Sequence, residues 1–256
     1  MRLPRRLGHD EAAGLVEHLG ELRARLVVVL VALAAGFAVA YGFHHQLIDW
    51  LNQALPANHR KPVTLGVTEP FMTSLKISLY AGFALALPVI LWQVWGFLAP
   101  AVKKGVERSI LGFVAFATVL FAGGVAFGHE IALPAAVHFL TSYDSSVYNI
   151  QIRASSYYSF ALLAIIAVGI VFELPVFILG LVRFKVLSAA KLRRNRRIGY
   201  VTMAALAVAL PGVDPVTTAF EMIPLMVLFE GSIWLSVIFE RRWQTQASSV
   251  LSPAKI

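Results

Sequence analysis

Cysteine is absent from the 256 residues. That excludes disulfides, thiolate nucleophiles and cysteine-based metal or iron–sulfur sites. Charge is scarce as well, at 14% Asp, Glu, Lys and Arg against 58% hydrophobic residues. A soluble domain carries about a quarter charged residues, so neither a soluble enzyme nor a disordered chain fits. Acidic residues are the scarcer sign, 14 against 22 Lys and Arg, giving a formal net charge of +8. Alternation of period two is missing from the apolar runs, which excludes a membrane barrel; an open sheet cannot cross lipid. Internal repeats are missing too, unlike many secondary transporters. No phosphate-binding glycine loop is present.

What is present is a series of long apolar runs. They predict an all-α integral membrane protein of a single domain over 1–256. Six transmembrane helices are expected at about 26–43, 71–97, 109–128, 157–182, 198–210 and 216–239. An amphipathic segment at 17–25 precedes them and a tail at 240–256 follows. Eighteen basic residues fall on one side of this topology: the N-terminal segment, the 103–108 loop, the 183–197 loop and the tail. Only Arg60, Lys61 and Arg153 fall on the other. This asymmetry predicts both termini in the cytoplasm and explains the net charge without nucleic acid. Arg5-Arg6 invites a reading as a twin-arginine export signal. The polar, acidic stretch from His9 to Glu21 is not an apolar signal core, so the first span is expected to be retained. The segment from Ala132 to Tyr143 reads as a helical continuation outside the membrane.

Several residues carry a cost. Glu173 lies ten positions before Arg183, roughly 15 Å along a helix and so near the bilayer midplane. It reads as a polar spot in a substrate path, or else as a carboxyl bonded to a neighbouring helix. Glu221 and Glu230 read as inter-helix contacts, with snorkelling the simpler account of Glu230. Lys76 can snorkel from the outer end of span two. Pro88, Pro175 and Pro224 should kink their helices and make a concave bundle. The last two spans are short, and the Pro211–Pro215 turn between them keeps the hairpin from the outer surface. Asp214 there is either an N-cap or an acid at a water-filled dent. At the cytoplasmic corner, Glu21 and Arg25 are spaced for a salt bridge within one helix. Glu107, beside the aromatic corner that holds Phe97, is suited to grip a guanidinium bidentately.

Seven segments in order then resemble the TatC family, the multispanning subunit of the twin-arginine protein translocase. They are His18, Leu19, Glu21, Leu22, Arg23 and Arg25; Glu69-Pro70-Phe71; Pro88 to Pro100; Glu107-Arg108; Phe172-Glu173 with Pro175; Pro211 with Asp214-Pro215; and Ile223-Pro224-Leu225 with Glu230. The resemblance runs from about Glu17 to Phe239. It implies export of folded proteins across the cytoplasmic (inner) membrane, driven by the proton-motive force, with no enzymatic step, cofactor or metal. The implied partners are the single-span proteins TatA and TatB, further copies of the chain, and twin-arginine signal peptides. It implies signal-peptide binding at Glu21 and Glu107, with His18, Arg23, Phe97 and Arg108 nearby. It also implies an intramembrane polar role for Glu173 and an outer-turn role for Asp214 and Thr218. Thr218 stands where many members have glutamine, and Glu221 has no counterpart carried over.

Three other readings compete, one of them a scaffold that only organises partner helices, which signal-peptide binding would tell apart. A proton-coupled small-solute transporter would move solute alone in vesicles. An intramembrane enzyme needs a Ser–His or Asp pair within the spans, and none of the seven histidines lies deep in one.

Overall fold

The computed structural model describes residues 15–98, 107–211 and 214–251; the side chains of 15–18, 98, 107–110 and 241–251 lie outside the described part. The described residues form helices joined by loops. In order it forms α1 (Leu15–Gly42), α2 (His44–Gln53), α3 (Glu69–Leu98), α4 (Glu107–Phe127) and α5 (Leu133–Ser142). Then follow α6 (Ala154–Val171), α7 (Leu174–Arg183), α8 (Ala189–Arg194), α9 (Arg196–Ala209) and α10 (Pro215–Leu251). Five segments are long and apolar enough to cross a membrane: Leu19–Gly42, Glu69–Phe97, Leu111–Ser142, Ala154–Arg183 and Pro215–Glu240. The fifth expected span, α9, has 14 residues. That is about 21 Å against a hydrocarbon core of about 30 Å, so α9 does not reach across on its own.

Apolar side chains face outward along these segments, including Leu26, Leu30 and Val31 on α1 and Val119 on α4. In lipid this is no penalty, because the solvent is as apolar as the core. Close backbone approach then decides the packing. α1 lies along α3, and the two cross at Gly36 and Gly82. A Cβ on Gly36 would sit 2.5 Å from the Gly82 carbonyl oxygen. Only glycine at both positions permits this crossing.

One of the expected helices is interrupted where proline removes a backbone donor. Pro175 has no N–H for the Val171 carbonyl, and its ring disfavours helix for the preceding residue. The fourth expected span therefore ends at Val171, turns through Phe172 and Glu173, and restarts as α7. Pro134 is accommodated by a π turn at Gly128–Ala132, through which α4 runs on into α5. That bears out the predicted helical continuation. α3 and α10 remain helical through Pro88 and Pro224.

The molecule has two ends. At one, α2, the start of α3, α5 and the start of α6 share a core built on Leu51, Ile77, Leu133, Tyr157 and Ile165. Tyr157 donates to the Leu51 carbonyl at 2.5 Å and Tyr158 to Asn52 Oδ1 at 2.9 Å. A second core joins α7, α9 and α10 through Ile178, Met203, Leu225 and Phe229.

Candidate functional site

At the other end the start of α1 meets the end of α3. Glu21 and Arg25 are one turn apart on α1. Arg25 Nε donates to Glu21 Oε1 at 3.0 Å, and Nη2 reaches the same oxygen at 2.5 Å. Nη1 crosses to α3, donating to the side-chain oxygen of Gln93 at 3.2 Å and to its carbonyl at 3.4 Å. Room for this guanidinium exists because residue 96 is glycine; a Cβ there would lie 2.5 Å from Arg25 Nη1. The spacing of Glu21 and Arg25 was legible in the sequence; the contributions of Gln93 and Gly96 were not.

Beside this cluster is an aromatic corner. Trp95 packs on Phe113 of α4, with ring centres 5.2 Å apart, and on Phe184 after α7, at 6.4 Å. Phe97 is half-buried, one residue before the end of α3. Glu107 is the first residue of α4, six positions before Phe113, so its backbone starts at this same end. The side chains of His18, Glu107 and Arg108 lie outside the described part. Arg23 is exposed; two positions from Glu21, it points away from the Glu21–Arg25 pair. The structure thus gathers Glu21, Arg25, Gln93 and the aromatic corner at one end, and leaves Arg23 apart.

Glu173 sits in the turn between α6 and α7 and is buried, with both carboxylate oxygens lacking a protein partner. Asp214 is buried and caps α10: Thr217 N–H donates to its Oδ1 at 2.7 Å, with Pro215 in the first helical position. Thr218 Oγ1 donates to the Asp214 carbonyl at 3.0 Å. The cap reading of Asp214 is therefore observed, but it uses one oxygen only. Asp214 Oδ2, Thr217 Oγ1 and both oxygens of Glu221 are buried without a protein partner. Buried polar atoms are normally bonded, so this face of α10 and the α6–α7 turn hold polarity that the monomer's own packing does not satisfy.

Three polar clusters have partners that the sequence did not name. Glu69 is buried and accepts from Arg153 Nε at 3.1 Å and Nη2 at 3.3 Å, and from the backbone N–H groups of Leu65, Gly66 and Ser155. It ties the start of α3 to the start of α6. Glu230 does not snorkel: Tyr200 donates to its Oε1, and Arg196 Nη2 lies 3.1 Å from its Oε2. That pair clamps short α9 onto α10. His129 is buried in the π turn, stacked on Trp50 with ring centres 3.7 Å apart, and bonded to the Trp50 carbonyl and to Glu130. Each cluster includes a partner at least 30 positions away in the chain, which no local spacing announces.

Comparison with known proteins agrees with this architecture. The family described as Sec-independent protein translocase protein (TatC) matches residues 17–224. The TatC protein of Carboxydothermus hydrogenoformans is 35% identical over 228 residues, covering 89% of this chain and 94% of the relative. TatCd of Bacillus subtilis is 29% identical over 236 residues, covering 92% of this chain and 96% of the relative. A crystal structure of the twin-arginine translocase receptor TatC in DDM superposes with a TM-score of 0.75 at 31% identity, covering 86% of this chain and 99% of that one. With the ordered motifs and the matching fold, these place the chain in the TatC family, as a multi-pass membrane subunit of the Tat protein translocase.

Proposed function

We propose that this subunit is the receptor for twin-arginine signal peptides, and that it binds their paired guanidiniums at the end of the bundle formed by Glu21, Gln93 and the start of α4. The observation that carries this reading is the Glu21–Arg25–Gln93 cluster. It already holds one guanidinium between a carboxylate and an amide, in surroundings shaped for that group. A peptide arginine would displace Arg25 or take the remaining carboxylate oxygen, with Glu107 serving the second arginine. A planar guanidinium fits such a fork and an ammonium does not, which gives selectivity for arginine over lysine. The aromatic corner around Trp95 and Phe97 offers apolar contact to the residues that follow.

In this reading the receptor end faces the cytoplasm, because the basic 183–197 loop lies there. α9 counts as the fifth of six spans, in a locally thinned cytoplasmic membrane. Bends at Pro88 and Pro224 open a concave face, onto which the Glu173 turn looks. TatA and TatB dock along α9 and α10, where the short span and the unsatisfied oxygens of Asp214, Thr217 and Glu221 favour a polar helix partner. The chain acts as receptor and scaffold, and the proton-motive force drives export. The test is export of a folded reporter in cells that lack their own TatC and carry this chain with its TatA and TatB. The reading expects an Arg-Arg reporter to be exported and a Lys-Lys one retained. Equal export of both would overturn it. Proton-driven solute uptake by the chain alone in vesicles would favour a transporter instead.

A further inference from the structure

A cavity of about 330 Å³ lies between α1, α2, α3, α4 and α6, at the end of the bundle opposite Glu21. Phe43, Leu47, Trp50, Tyr80, Ala84 and Leu162 are among its walls, and the lining is apolar almost everywhere. It is partly open to the outside of the bundle. Along α3 it extends from Ile77 to Leu85, about 12 Å of helix. A void of this kind gives water nothing to bond; an apolar cavity less than half this size stays dry and binds benzene. Close-packed interiors do not leave such space as a packing defect.

A cation stands where the cavity approaches the helix ends. Lys76 precedes Ile77 and lies one turn from Tyr80, both of which line the cavity. Its Nζ reaches Ser159 Oγ at 3.4 Å across to α6, one turn before Leu162. No carboxylate pairs with Lys76 among the described residues. An exposed ammonium held beside an apolar slot complements an anionic headgroup above a hydrocarbon chain. Both helices flanking the slot belong to segments that can cross a bilayer, so acyl chains surround its mouth. Tyr80 and Trp50 on the wall are the residue types that settle where hydrocarbon gives way to headgroups.

We propose that this cavity is a phospholipid site, with one acyl chain inserted between α1, α3 and α6 and the headgroup phosphate held by Lys76 and Ser159. The site needs only that α1 and α3 cross the membrane; it does not depend on which end faces the cytoplasm or on signal-peptide binding. The bound chain completes the packing of the helix pair that crosses at Gly36 and Gly82.

The test is native mass spectrometry of the full-length protein, purified in mild detergent and titrated with phosphatidylglycerol. One lipid adduct is expected to form ahead of all others. Ala84→Phe, which fills the cavity, should remove it. Lys76→Gln should weaken it about fivefold, while Lys61→Gln, on the 54–68 loop and outside the cavity lining, should leave it unchanged. If Ala84→Phe does not give folded protein, Ala81→Val serves as the milder filling variant. No preferred adduct, an adduct that survives filling, or equal loss in Lys76→Gln and Lys61→Gln would overturn the proposal. So would a dimer of the chain that disappears on filling while lipid binding persists.

Discussion

At the scale of single residues, what a carboxylate does here depends on where its partner sits. Glu21 is held by Arg25 one turn away, on a part-exposed helix surface. Such pairs contribute about 0.5 kcal/mol or less. Glu21→Gln should therefore leave the thermal midpoint nearly unchanged while weakening an Arg-Arg peptide; a large loss of stability in a melting curve would show its role to be structural. Glu69 is the opposite case. Its carboxyl accepts from a guanidinium and three backbone N–H groups, so Glu69→Gln leaves several donors poorly served. The expected result is a melting midpoint lowered by several degrees, with peptide affinity per folded molecule preserved. The two variants separate receptor chemistry from architecture. From sequence, Glu69 was visible only as part of an ordered motif. Its partner Arg153 lies 84 positions on, beyond the reach of any helical spacing rule.

At the scale of elements, small residues and prolines set the packing and the breaks. Gly36 and Gly82 let α1 and α3 touch backbone to backbone. Gly82→Leu should cost about 1–3 kcal/mol or more through overpacking. Gly123→Ala, on open space in α4, should be neutral or mildly stabilising; denaturant melts of the two in detergent provide the comparison. Glu173 sits at the break before Pro175 with no protein partner for its carboxylate. Glu173→Leu removes an unsatisfied buried group and should raise stability by about 1–3 kcal/mol, at the expense of export. A destabilised variant would mean that the carboxylate is bonded in the native membrane. The apolar runs made the long helices legible, because length and hydrophobicity alone determine them. The division of the fourth run into α6 and α7 was not, since Pro175 can bend a membrane helix or end it, and surrounding contacts decide which. Likewise the sequence marked α9 as short but not the Arg196–Glu230–Tyr200 clamp that holds it.

At the scale of the whole molecule, the account places the guanidinium-binding end and the basic loops on one side of the membrane and the Glu69–Arg153 tie on the other. The absence of cysteine makes this directly testable. A single cysteine at Ser146 should react with a membrane-impermeant maleimide in intact cells, and one at Ala190 should react only after the membrane is opened; the reverse pattern would invert the topology. The central claim is that carboxylates at the receptor end read paired arginines. Its most direct test is the affinity of the purified protein for an Arg-Arg signal peptide and for its Lys-Lys counterpart, measured on the wild type and on Glu21→Gln and Glu107→Gln. The account predicts a clear Arg-Arg preference in the wild type that shrinks in each variant, whereas equal binding of both peptides, unchanged by either substitution, would contradict it.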